Sequence, residues 1–232
     1  MRILAGTSGW SFKEWKGSFY PKGHPDDAML SYYASRFPTV EINNTFYRMP
    51  KEKTLLEWAG QVPPSFRFAI KASQRITHKA RLNDVGNDVE YFTRMCNCLG
   101  ERRGPSLFQL PPNLKKDLPR LEAFLAVLPR RWQTTIEFRH PSWWDDAVYA
   151  ALKAQDVAMC ISEQDDLDTP MVATASWGYV RLHRNYDEAA LAERAARIRT
   201  QPWQETFVYF KHDDDVAGPN AVDGFLKAVQ AG

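Results

Sequence analysis

Eight short apolar runs punctuate the chain, and each stops at polar or charged residues. They cover 3–5, 39–43, 67–72, 105–110, a run opening at Thr134, 158–162, 179–183 and 206–210. Their β-branched and aromatic content predicts strands. Between them lie stretches with helical spacing. Pro25-Asp26-Asp27 opens a helix over 29–37, and a second spans 51–60, stopping at Gly60 ahead of Pro63-Pro64. Others span 89–99, closed by Gly100, and 119–128, with Pro119 in its first turn. Ser142-Trp143-Trp144-Asp145 has the form of a capping box opening the next. Asp187 caps a helix running to about Arg199, and the last runs over 219–229. One interval breaks the alternation. Residues 163–177 are rich in Asp, Thr and Pro with no helical period, which predicts a loop in place of a helix. Thr77 and His78 fall in another loop. The aromatic loop holding Trp10, Trp15, Phe19 and Tyr20 reads equally as a seal on one end of the fold or as a stacking surface for a substrate.

Strands alternating with helices imply a parallel sheet. Eight such units in 232 residues suit a compact TIM-type (β/α) barrel in the α/β class, one domain over residues 1–232, with the helix between strands six and seven replaced by a loop. There is no internal repeat, low-complexity segment or linker to divide it.

Composition narrows the function only by exclusion. The net charge is +2, so no global basic field argues for nucleic acid or a membrane, and any electrostatic recognition is local. Eight tryptophans exceed the usual needs of a core and predict that some line a pocket. Three cysteines (Cys96, Cys98, Cys160) do not read as a disulfide framework. The N-terminal residues read as neither a signal peptide nor a span, so the expected location is the cytoplasm.

Candidate chemistry sits where the strands end. Side chains alternate along a strand, so Glu41 shares a face with Asn43, Glu137 with Arg139, and Arg181 with His183. Lys71, Gln109, Lys211 and Asp213 end three further strands. In a barrel these ends converge on one face, where active sites lie. Two carboxylates, Glu41 and Glu137, suit acid–base work if one is kept protonated. His183 is a further candidate base, and Lys71 a phosphate ligand or, if desolvated, a nucleophile. Arg139, Arg181 and Lys211 suit binding of a phosphate or carboxylate. Trp10, Tyr47, His78 and His140 complete the candidate substrate-binding set. The bland alternative is a buried network in which Glu137 only neutralises Arg181 or Lys71. No motif implies a cofactor: there is no GxGxxG, Walker loop or HExxH. A divalent metal held by Glu41, Glu137, His183 and Asp213 is a rival use of these groups, and neighbouring cations argue against it. The readings in contention are an enzyme for a small anionic substrate, a metal-dependent phosphodiesterase acting on nucleic acid, and a non-catalytic module that binds through its aromatic loops (Trp10, Trp15, Tyr47, Trp143). The oligomeric state is left open.

These blocks together resemble the domain of unknown function 72 family, also called YecE-like, nearly end to end from Gly6 to Ala221. The matching blocks are GTSGW with Phe19 to Pro21, TVEINNTFYRMP from Thr39, and Lys71 followed by Ile76-Thr77-His78. LFQLPP from Leu107, EFRHPSW from Glu137, Tyr179-x-Arg181-x-His183, and VYF with Asp213, Ala217, Asn220 and Ala221 complete the set. The resemblance implies a (β/α) barrel and no established activity. Fold analogy alone extends to metal-dependent endonucleases and sugar isomerases. The chain departs from the family pattern at Arg184, where Gly is usual, and at Lys211-His212, which replace an Asn pair and add positive charge near the mouth.

Overall fold

The computed structural model describes residues 1–164, 167–211 and 217–231. Eight parallel strands form one sheet: β1 (Arg2–Thr7), β2 (Thr39–Ile42), β3 (Arg67–Lys71), β4 (Arg103–Gln109), β5 (Thr134–Glu137), β6 (Ala158–Glu163), β7 (Trp177–Leu182) and β8 (Glu205–Phe210). The order β1-β8-β7-β6-β5-β4-β3-β2 leaves β1 and β2 as the two edges, and these lie side by side, so the sheet nearly closes into a barrel. Seven helices flank it: α1 (Met29–Arg36), α2 (Glu52–Gln61), α3 (Gly86–Asn97), α4 (Leu118–Val127), α5 (Asp146–Lys153), α6 (Glu188–Arg199) and α7 (Ala217–Ala231). Among the described residues no helix joins β6 to β7, as the lack of period predicted. No helix among them is long and apolar enough to cross a membrane.

Alternation sorts the side chains into two cores. Leu4, Ala69, Leu107, Cys160, Tyr179 and Phe207 fill the barrel interior, while the larger cluster lies between strands and helices. The β1–β2 seam is closed by a side chain. Tyr33, on α1, accepts a hydrogen bond at its hydroxyl from the Thr7 N–H at 2.8 Å and donates to the Thr39 carbonyl at 3.1 Å. Gly6 permits this approach, since a Cβ there would sit 2.0 Å from the Thr39 carbonyl oxygen.

Two local expectations are corrected, and one left open between two readings is narrowed. Ser142 does not cap α5. It lies in a short 3₁₀ turn (Pro141–Trp143) capped by His140, and Asp145 caps α5 by accepting from the Ala147 N–H. The Ser142 hydroxyl is taken instead by the Lys116 N–H at 2.8 Å. Thr77 and His78 lie in a π-helical turn (Arg75–Lys79), not an irregular loop. Of the aromatic loop, Trp15, Phe19 and Tyr20 are buried: Phe19 stacks on Phe37, Tyr20 meets Tyr32, and Trp15 packs against both Phe19 and Tyr20, so that part is a seal.

Candidate functional site

The C-terminal ends of β2, β3, β4, β5 and β7 deliver one polar layer above the apolar interior. Its centre is Arg181, buried with two carboxylates. Its Nη2 donates to Glu41 Oε1 at 2.9 Å and its Nη1 to Glu137 Oε2 at 2.7 Å. Glu41 and Glu137 have no solvent exposure at all. A buried triad of this kind persists only where hydrogen bonds satisfy the remaining lone pairs. Glu41 accepts three more, from Tyr179 at 2.6 Å, Ser8 at 2.7 Å and Asn43 at 2.9 Å. Burial pushes the Glu41 carboxyl up, but Arg181 and these donors outweigh it and hold it at about 2. Glu137 is likewise held below its ordinary value, with burial opposed by Arg181 and His183. Burial also works against the Arg181 charge, yet the two glutamates keep it firmly protonated. Neither carboxyl is therefore kept protonated at neutral pH, contrary to the acid–base expectation, because one guanidinium serves both.

Glu137 Oε1 organises the rest. Gln109 and Gln164 both donate their amide N–H to it, at 2.9 Å and 3.0 Å. An ionised carboxylate only accepts, so both amides turn their NH₂ inward and their oxygens outward. The Gln109 oxygen accepts from Lys71 Nζ at 2.9 Å, and the Gln164 oxygen from Arg139 Nη2 at 3.0 Å. Lys71 also lies 4.6 Å from the centre of the Phe46 ring. Among the described residues no carboxylate pairs with Lys71 or Arg139.

His183 presents a buried Nε2 with no hydrogen-bond partner among the described residues. Burial and Arg181 push it down to about 4, so it is neutral at pH 7. His78 is bonded to the Thr77 hydroxyl at 2.9 Å and packs edge-on to Phe46, which places it beside Lys71. His140 lies further out, its Nδ1 committed to Ser142. Lys211 is exposed at the end of β8, and Asp213 lies outside the described residues. Trp10 and Tyr47 line a cleft of about 590 Å³ that touches the Glu41 side of the layer through Ser8 and Asn43. Trp10 is half-buried, edge-on to Trp58, while Tyr47 is 75% exposed.

Sequence reasoning missed Ser8, Tyr179 and Gln164. Each lies two residues from a member of its strand's inward face: Tyr179 before Arg181, Gln164 after Ser162, Ser8 after Gly6. That parity was the available signal.

A divalent ion does not fit Glu41, Glu137 and His183, the described members of the candidate ligand set. The guanidinium of Arg181 occupies the position between the two carboxylates that an ion would need. Among the described residues no three His, Cys, Asp or Glu side chains cluster to hold one.

The architecture is that of a (β/α)₈ barrel with a charged, hydrogen-bonded C-terminal mouth. The chain matches the family described as "Protein of unknown function DUF72" over residues 4–232, and it belongs to that family. It is 34% identical over 144 residues to the UPF0759 protein YecE of Escherichia coli (strain K12), covering 61% of this chain and 50% of that one. To the UPF0759 protein YunF of Bacillus subtilis (strain 168) it is 27% identical over 163 residues, covering 63% and 54%. The chain spans about half the length of the curated relatives it matches. The crystal structure of a DUF72 family protein from Thermotoga maritima MSB8 is similar at a TM-score of 0.84 and 27% identity, over 99% of this chain and 100% of that one. One from Enterococcus faecalis V583 shares the fold at a TM-score of 0.83 and 17% identity, over 98% and 95%.

Proposed function

We propose that the chain is an enzyme that takes a small anionic substrate, phosphate- or carboxylate-bearing, at the C-terminal mouth of the barrel. The supporting observation is the pair of cations flanking Glu137. Lys71 and Arg139 are each half-buried, and among the described residues the only hydrogen-bond acceptor for each is the oxygen of a neutral amide. With no carboxylate against either group among the described residues, a ligand anion meets no competitor there and binds the more tightly. Arg181 is spent on the two glutamates and sets the frame. Glu137, ionised, and His183, neutral, are the proton acceptors nearest that anion, and Glu41, with four hydrogen bonds, is a positioning residue.

Titration with inorganic phosphate, a sugar phosphate and a dicarboxylate at low ionic strength tests the reading, followed by thermal shift and calorimetry. Saturable stabilisation is expected, and Arg139→Gln or Lys71→Met should each weaken it about tenfold, the loss of one charge-assisted hydrogen bond. No stabilisation by any of the three, or undiminished binding in both variants, would overturn it. Steeply salt-dependent binding of oligonucleotides in place of small anions would instead favour a nucleic-acid substrate.

A further inference from the structure

We propose that Lys71 is a nucleophilic amine that condenses with the carbonyl of an anionic aldehyde or ketone to form an imine. The proposal rests on the anion-binding reading above and names the group that reacts. Of the two cations flanking Glu137, a guanidinium keeps its charge, which leaves Arg139 to hold the substrate's anionic group, whereas an ammonium can lose its proton in such a site. The surroundings of Lys71 favour that loss. Among the described residues its nitrogen has one hydrogen-bond partner, the neutral Gln109 oxygen at 2.9 Å, and the Phe46 ring at 4.6 Å, whose face attracts the ammonium, is a weaker hold than a carboxylate would be. A carboxylate partner would hold the ammonium far more firmly than a neutral amide oxygen does, and that oxygen still accepts from –NH₂ once the proton is lost, leaving a lone pair free to attack. The charged groups acting on it are Arg181 and Arg139, which oppose its charge, and Glu41 and Glu137, which favour it but are both engaged by Arg181. His78 lies beside it across Phe46. Burial and Arg181 together lower its proton affinity.

The step balances without an external oxidant or reductant. The ammonium gives its proton to solvent, and the amine nitrogen bonds to the carbonyl carbon. The carbonyl oxygen takes up a proton, and the carbinolamine then loses that oxygen as water while nitrogen releases its remaining proton. The net change is a C=O and an amine giving a C=N and one water. Its substrate is a short 2-oxo acid or a phosphorylated aldehyde or ketone, both of which present an anion and a carbonyl a few bonds apart.

The test uses the whole chain at neutral pH with glyoxylate and, separately, pyridoxal phosphate. Cyanoborohydride is present to reduce any C=N to a stable amine, and peptide mapping by mass spectrometry follows. Lys71 should be labelled about tenfold faster than the exposed Lys13 and Lys53, as expected of a desolvated lysine. Arg139→Gln should slow labelling of Lys71 while leaving Lys53 unchanged, and Lys71→Arg should remove the fast site. Labelling of Lys71 no faster than Lys53 would overturn the proposal. If phosphate still binds in that case, the anion-binding reading stands alone, and if it does not, both fall. The wild-type ratio of Lys71 to Lys53 decides the matter even if a variant fails to fold.

Discussion

Arg181 decides the character of the site residue by residue. It is the ion-pair partner of two carboxylates, neither of which has another counter-ion within ion-pair distance among the described residues. Arg181→Met would leave both charges buried and unpaired, and removal of one partner from such a group destabilises by about 3–5 kcal/mol. Urea unfolding at pH 7 should therefore show a lowered midpoint with an unchanged slope, and a midpoint within error of the wild type would contradict this account of the triad. Through the ionised Glu137 the same residue acts further. Its charge holds Glu137 as an acceptor, Glu137 orients Gln109 and Gln164, and these present their oxygens to Lys71 and Arg139. The chemistry at the mouth is thus fixed from Arg181, three hydrogen bonds away from the cations that would meet a ligand.

At the scale of the elements, the barrel closes where no strand ladder is formed. β1 and β2 leave backbone groups facing each other, and a buried N–H or C=O without a partner costs about 1–3 kcal/mol. The Tyr33 hydroxyl serves both, binding the Thr7 N–H and the Thr39 carbonyl, and it is 2.9 Å from the Thr7 hydroxyl. Tyr33→Phe keeps the ring packing and deletes only this bridge, so a loss of about 1–3 kcal/mol is expected. Hydrogen exchange of the Thr7 amide, measured beside the β7 amides, would show whether the loss is local to the seam. Equal exchange at Thr7 in both proteins would remove the bridging role. The helix starts are simpler. Asp117, Asp145 and Asp187 each cap a helix with the side chain, as their type and position require.

For the whole molecule, the buried groups set the response to acid. His183 takes its proton at about 4 in the fold, against 6.5 when unperturbed. Glu41 does so at about 2, against 4.5. In both cases the unfolded chain binds the proton first as pH falls, so acid favours unfolding. Stability should be full above about pH 6.5, decline between 6.5 and 4 through His183, with His78 acting in the same direction, and decline again below about 4.5 through Glu41 and Glu137 together. His183→Asn should flatten the upper part of that decline and leave the lower part. Urea midpoints followed from pH 8 to pH 3 would test it, and an unaltered slope between 6.5 and 4 in the variant would rule out His183 as its source.

Strand count, helix order, the lack of a helix between β6 and β7 among the described residues, and the inward set of Glu41, Lys71, Gln109, Glu137, Arg139 and Arg181 were all legible in the sequence. The reason is physical: period-two and period-3.6 burial are local properties, and a parallel barrel leaves one end of every strand on the same face. What each charged group does there was not local. The sequence contains two glutamates that read as an acid–base pair. Only the fold brings a single arginine from β7 between carboxylates on β2 and β5 and makes both of them ionised anchors. It likewise takes Gln164 from a segment that reads as an irregular loop and turns it into the mirror of Gln109. Ion pairing and amide orientation depend on distances between strands far apart in sequence, and those distances exist only once the sheet has closed.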